Sequence, residues 1–131
     1  MNNLMPSPRT ALVVEDHRVL LDVLHDVLED AGFDTTAVDH GRQTMTMLAE
    51  RCFDVLVVDV NLPDMNGMAI SELARERYQD RIMILVITGL HIPHRCLSSL
   101  QLGADDFLGK PFDLDEFIAR IESKVRRSPQ G

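Results

Sequence analysis

Three stretches of this chain are too apolar for a surface and too short for helices. They are Ala11-Leu-Val-Val14, Asp54-Val-Leu-Val-Val58 and Ile82-Met-Ile-Leu-Val-Ile87. Short aliphatic runs of this kind suit strands covered on both faces. Between them the period changes. Leu20, Val23, Leu24, Val27, Leu28 and Ala31 recur at i, i+3, i+4, i+7, i+8, one face of a helix that Gly32 can end. Strands apolar on both faces, alternating with amphipathic helices, predict a parallel sheet with helices on each side.

The remaining segments extend the alternation. Residues 33–38 are weakly strand-like, and 41–51 can form a second helix with Met45, Leu48 and Ala49 inward. Leu62-Pro-Asp-Met-Asn-Gly67 is dense in turn formers, and a third helix is expected over about 68–77. A short fourth helix is expected over about 93–102, ended by Gly103, and a fifth strand over 104–108, interrupted by Asp105 and Asp106. Leu114, Phe117, Ile118, Ile121 and Val125 mark a fifth helix, with Asp113 as N-cap and Glu116 as its capping-box partner. Residues 1–8 read as a disordered lead-in. The 131 residues then amount to one α/β domain of five strand–helix units, a three-layer sandwich.

In such sheets ligands bind outside the carboxyl ends of the strands. The first strand ends in Glu15-Asp16, the third in Asp59, the fourth in Thr88 and the fifth in Lys110, so these groups fall on one rim. Three converging carboxylates repel one another, and a hard divalent cation with open water positions, Mg²⁺, offsets that repulsion. A lysine and a hydroxyl opposite suit a phosphoryl group.

These residues resemble the receiver domain of two-component response regulators over residues 10–127, leaving 1–9 as lead and 128–131 as tail or linker. The matching pieces are Val13-Val14-Glu15-Asp16, the run from Asp54 through Asp59 to Gly67, Thr88-Gly89, and Gly103-Ala-Asp-Asp-Phe-Leu-Gly-Lys-Pro-Phe112. The resemblance implies a flavodoxin-like (βα)5 fold with strand order 2-1-3-4-5. It implies that Asp59 accepts a phosphoryl group from a sensor histidine kinase or phosphotransfer protein. Asp16 and Asp59 would bind Mg²⁺, Glu15 mainly through water, and the Asn61 backbone carbonyl would complete the protein ligands. Thr88 and Lys110 would contact the phosphoryl oxygens, Phe107 would be the switch aromatic, and Pro111 would follow a cis peptide bond. The surface rearranged would be the face of the fourth helix, fifth strand and fifth helix. The domain would be a signalling phosphoacceptor, not an enzyme beyond its own phosphorylation and dephosphorylation.

Arg95, Asp105, Asp106, Glu116, Arg120 and Arg126 mix both signs on that face, which resembles the dimer interface of the OmpR/PhoB winged-helix subfamily. Arg95 with Glu116 and Asp106 with Arg120 are the expected pairs. A solvated mixed-charge surface is the competing reading. The output would be transcription, through an output domain that this chain lacks. His17, His91 and His94 read as surface residues, and Met65, Met68 and Met83 as core and loop filler.

Other classes fare less well. With 13 basic against 21 acidic side chains the net charge is −8, which disfavours nucleic-acid and anionic-membrane binding by the chain itself. Cys52 and Cys96 form no CxxC pair, as in a reduced, cytoplasmic protein. An aspartate-nucleophile phosphatase would want a second aspartate where Asn61 stands, and a flavodoxin-like cofactor binder would not place Glu15-Asp16 against a phosphate. A stand-alone receiver, acting as a binding module with or without phosphorylation, stays open.

Overall fold

The structure is a computed structural model that describes residues 9–89 and 103–125. Its elements are β1 (Arg9–Val14), α1 (Arg18–Asp30), β2 (Phe33–Val38), α2 (Gly41–Glu50), β3 (Val55–Asp59), α3 (Gly67–Tyr78), a 3₁₀ turn (Gln79–Arg81), β4 (Met83–Thr88), β5 (Asp106–Gly109) and α4 (Leu114–Lys124). The fourth predicted helix lies outside the described residues, as do Arg95, His91, His94, Cys96 and Arg126, so α4 here is the fifth helix of the sequence reading.

The strands form one sheet in the order β2-β1-β3-β4-β5, and all four pairings are parallel. Side-chain alternation divides the core in two. Val13, Val57, Leu85 and Leu108 face Leu24 and Leu28 of α1 and Phe117 and Ile121 of α4. Leu12, Leu56, Ile84 and Val86 face Leu48 of α2 and Ile70, Ala74 and Tyr78 of α3. Both faces of β1, β3 and β4 are therefore buried, which is why their sequences are continuous rather than alternating. Each fully buried Leu, Ile or Phe in these layers contributes about 2–3 kcal/mol of hydrophobic stabilisation. The exposed ends of the sheet are left to polar groups.

Several local expectations are corrected. Ala49 is exposed, and the inner face of α2 is Gly41, Thr44 and Leu48. Those three share one helix stripe, while Ala49 lies about 100° round from Leu48. β5 begins at Asp106, two residues later than the sequence suggested. Its predecessor Asp105 is bonded to β4 through both backbone and side chain, with its N–H on the Ile84 carbonyl at 2.8 Å and its Oδ2 accepting the Ile84 N–H at 2.7 Å. Asp113 is the N-cap of α4 but makes no side-chain cap bond. Glu116 does not complete a capping box because its Oε2 accepts from Arg120 Nη2 at 2.9 Å and Nε at 3.1 Å, a stronger, charge-assisted pairing. Leu114 is exposed rather than inward.

Two glycines are dictated by space. A Cβ on Gly67 would stand 2.0 Å from the Asp59 carbonyl oxygen, so the loop after β3 can fold back on its own strand only with glycine there. Gly103 has φ +84° and packs against Arg75, whose Cβ would lie 2.6 Å from an added Cβ.

Candidate phosphoacceptor and metal site

The carboxyl ends of β1, β3 and β5 meet at an open cavity of about 550 Å³ lined by Glu15, Asp16, His17, Arg18, Asp59, Asn61, Gly89 and Lys110. Glu15 immediately follows β1, and its N–H donates to the Val38 carbonyl at 3.1 Å, fixing it over the sheet edge. Asp59 is the last residue of β3 and is buried. Lys110 follows β5, held by its own N–H on the Thr88 carbonyl at 2.8 Å. The Lys110–Pro111 peptide bond is cis.

The polar contacts are short and specific. Lys110 Nζ donates to Asp59 Oδ2 at 2.6 Å. Asp59 Oδ1 accepts the Asn61 N–H at 2.8 Å, so both of its oxygens are held. Glu15 Oε2 accepts the His17 N–H at 3.0 Å. Lys110 Nζ lies 3.1 Å from Glu15 Oε1, yet that oxygen is buried without a well-directed hydrogen bond. Carboxylate oxygens of Glu15, Asp16 and Asp59 lie within 4.8 Å of one another, and Asp16 is exposed.

Titration behaviour follows from this crowding. Burial, reinforced by the neighbouring Asp59 carboxylate, pushes the Glu15 carboxyl up to about 7. Burial alone would lower the Lys110 ammonium, but the Asp59 and Glu15 carboxylates outweigh it and hold Lys110 above its ordinary value. One ammonium thus faces two buried carboxylates, with Asp16 beside them.

The donor set fits a hard divalent cation: oxygen ligands only, an excess of negative charge, and a buried Glu15 oxygen that accepts no well-directed hydrogen bond. Three carboxylates that could hold a metal ion are therefore together, as the sequence suggested. Asn61 lines the same cavity. Thr88 ends β4 and is buried, and Phe107 is half-buried against the α2–α3 core layer.

Of the remaining lining residues, His17 and Arg18 carried no sequence signal of a site, whereas Gly89 belongs to the Thr88-Gly89 piece of the resemblance. His17, read as a surface residue at a helix start, caps α1 by accepting the Leu20 N–H on Nδ1 at 3.3 Å. Arg18 and Gly89 also line the cavity. Beside it runs an apolar groove of about 310 Å³ lined by His17, Leu20, Lys110, Pro111, Phe112 and Leu114.

The residues of the expected dimer face are placed in two ways. Arg120 Nη1 donates to both Asp106 oxygens, at 2.9 and 3.0 Å, within the one chain. Asp105 turns away from that pair, bonded to Arg75 Nη2 and to the Ile84 N–H.

Comparison with known proteins bears directly on this geometry. The profile of the response regulator receiver domain matches residues 11–122. The chain belongs to the response regulator receiver family. Receiver domains are signalling domains of two-component systems, and the five-stranded parallel order seen here is theirs. Among curated relatives, the transcriptional regulatory protein CpxR of Escherichia coli K12 is 35% identical over 117 residues, 89% of this chain and 49% of CpxR. The chain thus spans about half the length of the curated relatives it matches. Among solved structures, a CheY-like receiver domain from Methanospirillum hungatei JF-1 superposes with TM-score 0.82 at 24% identity, covering 91% of this chain and 94% of that one. The BeF3-activated DrrB receiver domain superposes with TM-score 0.81 at 26% identity, covering 92% and 100%. Among the described residues no helix is long and apolar enough to cross a membrane.

Proposed function

We propose that Asp59 of this receiver domain accepts a phosphoryl group from a sensor histidine kinase or phosphotransfer protein, in a Mg²⁺-dependent reaction. The observation that carries the reading is the Asp59 carboxylate, buried and held by Lys110 Nζ at 2.6 Å and by the Asn61 N–H at 2.8 Å, at the mouth of a cavity shared with Glu15 and Asp16.

A carboxylate is a weak nucleophile, so positioning and charge neutralisation must supply the acceleration. The two hydrogen bonds fix both Asp59 oxygens. One of those oxygens forms the new O–P bond as the donor's N–P bond breaks, and the bonding pair leaves with the imidazole nitrogen. Lys110 neutralises charge on the phosphoryl oxygens, and Thr88 at the end of β4 hydrogen-bonds to one of them. Glu15, Asp16, Asp59 and the Asn61 carbonyl would hold Mg²⁺, which when bound supplies positive charge to the transferring group.

The charge added at Asp59 has a route outward. β4 pairs with β5 at Val86 and Phe107 and at Thr88 and Gly109, so a shift at Thr88 would act two register positions from Phe107. Movement there would reset the face carrying Asp106, Glu116 and Arg120, and with Arg95 and Asp105 that face is the proposed dimer surface. We assign the receiver unit to residues 10–127, OmpR/PhoB-type output to the protein that contains it, and the cytoplasm as its compartment. Transcription as that output rests on the likeness to CpxR, a transcriptional regulator by name.

Titration with Mg²⁺ and then beryllium fluoride, followed by amide NMR, tests this. The expected result is a Mg²⁺-dependent shift at residues 15, 16, 59, 61 and 110 that spreads to 106–108 and 114–120. A response that persists in Asp59→Asn, or none in the wild type, would overturn it.

A further inference from the structure

Helix α2 takes its N-terminal cap from the loop that carries Asn61. Its own N-cap, His40, makes no side-chain cap bond, and its first turn has no acidic residue. His40 Nδ1 lies instead 2.7 Å from Asp39 Oδ1. The first N–H groups of a helix have no partner within it. Here the Gly41 N–H donates to Asp64 Oδ1 at 2.8 Å and the Arg42 N–H to Asp64 Oδ2 at 2.9 Å. Both oxygens of one carboxylate thus cap a helix that starts 23 residues away in sequence. These N–H groups hold the Asp64 carboxyl below its ordinary value, so it is charged at neutral pH and suits the positive end of the helix.

Asp64 lies in the loop 60–66 between β3 and α3. The loop is tied at its ends by main-chain bonds. The Val60 N–H donates to the Ile87 carbonyl at 2.9 Å, and the Gly67 N–H to the Val60 carbonyl at 2.8 Å. Between these ends Leu62 is buried in the α2–α3 layer, and Pro63 has no N–H to donate. Met65 packs against Gly41, where an added Cβ would stand 2.4 Å from the Met65 Cγ. Apolar contact of this kind is non-directional, and methionine adapts its shape readily. The two bonds to Asp64 are directional, and they set the middle of the loop against α2.

The loop's placement matters because of Asn61. Its N–H holds Asp59 Oδ1 at 2.8 Å, and its carbonyl belongs to the proposed metal site. A backbone carbonyl has no rotamers, so the loop's conformation alone aims it. Drift of the loop moves this ligand and the amide on Asp59 together. Asp64 itself does not line the cavity.

We propose that Asp64 is a positioning residue for the divalent-cation site: it anchors the Asn61 loop to α2 and thereby sets the affinity for Mg²⁺ without contacting the ion. The proposal rests on the reading of Glu15, Asp16, Asp59 and the Asn61 carbonyl as the metal ligands.

Amide NMR on the full chain, titrated with magnesium chloride, tests it. Each variant is first shown to be folded by its far-ultraviolet spectrum and melting curve. In metal-free protein, Asp64→Ala should speed amide exchange at Gly41 and Arg42 and shift residues 60–66. Shifts at residues 15, 16 and 59 should then report Mg²⁺ binding roughly tenfold weaker than in wild type, the size expected when a group supporting a metal ligand is lost. Asp64→Asn keeps one acceptor oxygen and should fall between. Asp39→Asn removes a carboxylate at the same end of α2 but outside the loop, and should leave the affinity near that of wild type. If Asp64→Ala fails to fold, Asp64→Asn should still weaken binding where Asp39→Asn does not. Wild-type affinity in the Asp64 variants, or equal losses in Asp64→Asn and Asp39→Asn, would overturn the proposal and leave the metal site standing. Absence of Mg²⁺ binding by the wild type would overturn the metal site itself, and the proposal with it.

Discussion

Glu15 is buried beside the Asp59 carboxylate, and that fixes how the site responds to pH. Its carboxyl titrates at about 7 in the folded chain against 4.5 ordinarily, so between those values the folded state binds more protons than the unfolded state. Stability contributed by this group is therefore greatest at acid pH and falls as pH rises from 4.5 to 7. The loss is at most about 3 kcal/mol. In metal-free protein, Glu15→Gln should raise the melting temperature at pH 8 and change it little at pH 5. Equal effects at both values would contradict the account. Asp59 differs from Glu15 because both of its oxygens already have donors.

At the scale of elements, the turn after β3 decides where Asp59 and Asn61 stand. The Gly67 N–H donates to the Val60 carbonyl at 2.8 Å, and Asn61 bridges to Asn66, closing the loop back onto the strand end. Gly67→Ala would set a methyl group against the Asp59 carbonyl, and nothing on that side is the far end of a flexible side chain. Urea denaturation should show a loss of about 2 kcal/mol or more. An unchanged midpoint would mean that the loop relaxes freely.

The same scale shows why part of the molecule was legible in the sequence. Strands buried on both faces leave continuous apolar runs, and each run stops at a polar residue that must therefore lie on the rim. That logic located Glu15, Asp16, Asp59, Thr88 and Lys110 together with the strands that carry them. It failed where a short polar side chain had several partners within reach. Nothing in the sequence signalled that the carboxylate of Asp105, a residue of the proposed dimer face, is held by Arg75 and the Ile84 N–H, 30 and 21 residues away. Glu116 was read as a cap, but Arg120 one turn on takes its carboxylate. The stacking of Arg51 on Phe53 and of Arg77 and Arg81 on Tyr78 was equally invisible, because it depends on how the ends of α2 and α3 pack against those rings.

On the scale of the whole molecule, the parallel sheet gathers the reactive groups at one edge. All strands point one way, so all their carboxyl ends share one edge, and the acidic set with its single lysine sits there. The opposite edge receives the helix C-termini, with Arg75 and Arg77 in the last turn of α3 and Lys124 in that of α4. The two apolar layers between are tightly packed and separate these ends. A phosphoryl group added at Asp59 therefore changes charge at one edge only, and the account requires that edge to be chemically reactive.

The most direct test is to incubate the chain with Mg²⁺ and a small acyl-phosphate donor and weigh it intact, beside Asp59→Asn and a metal-free control. The account predicts one added phosphoryl group on the wild type, absent from both controls. No adduct on the wild type, or the same adduct on Asp59→Asn, would contradict it.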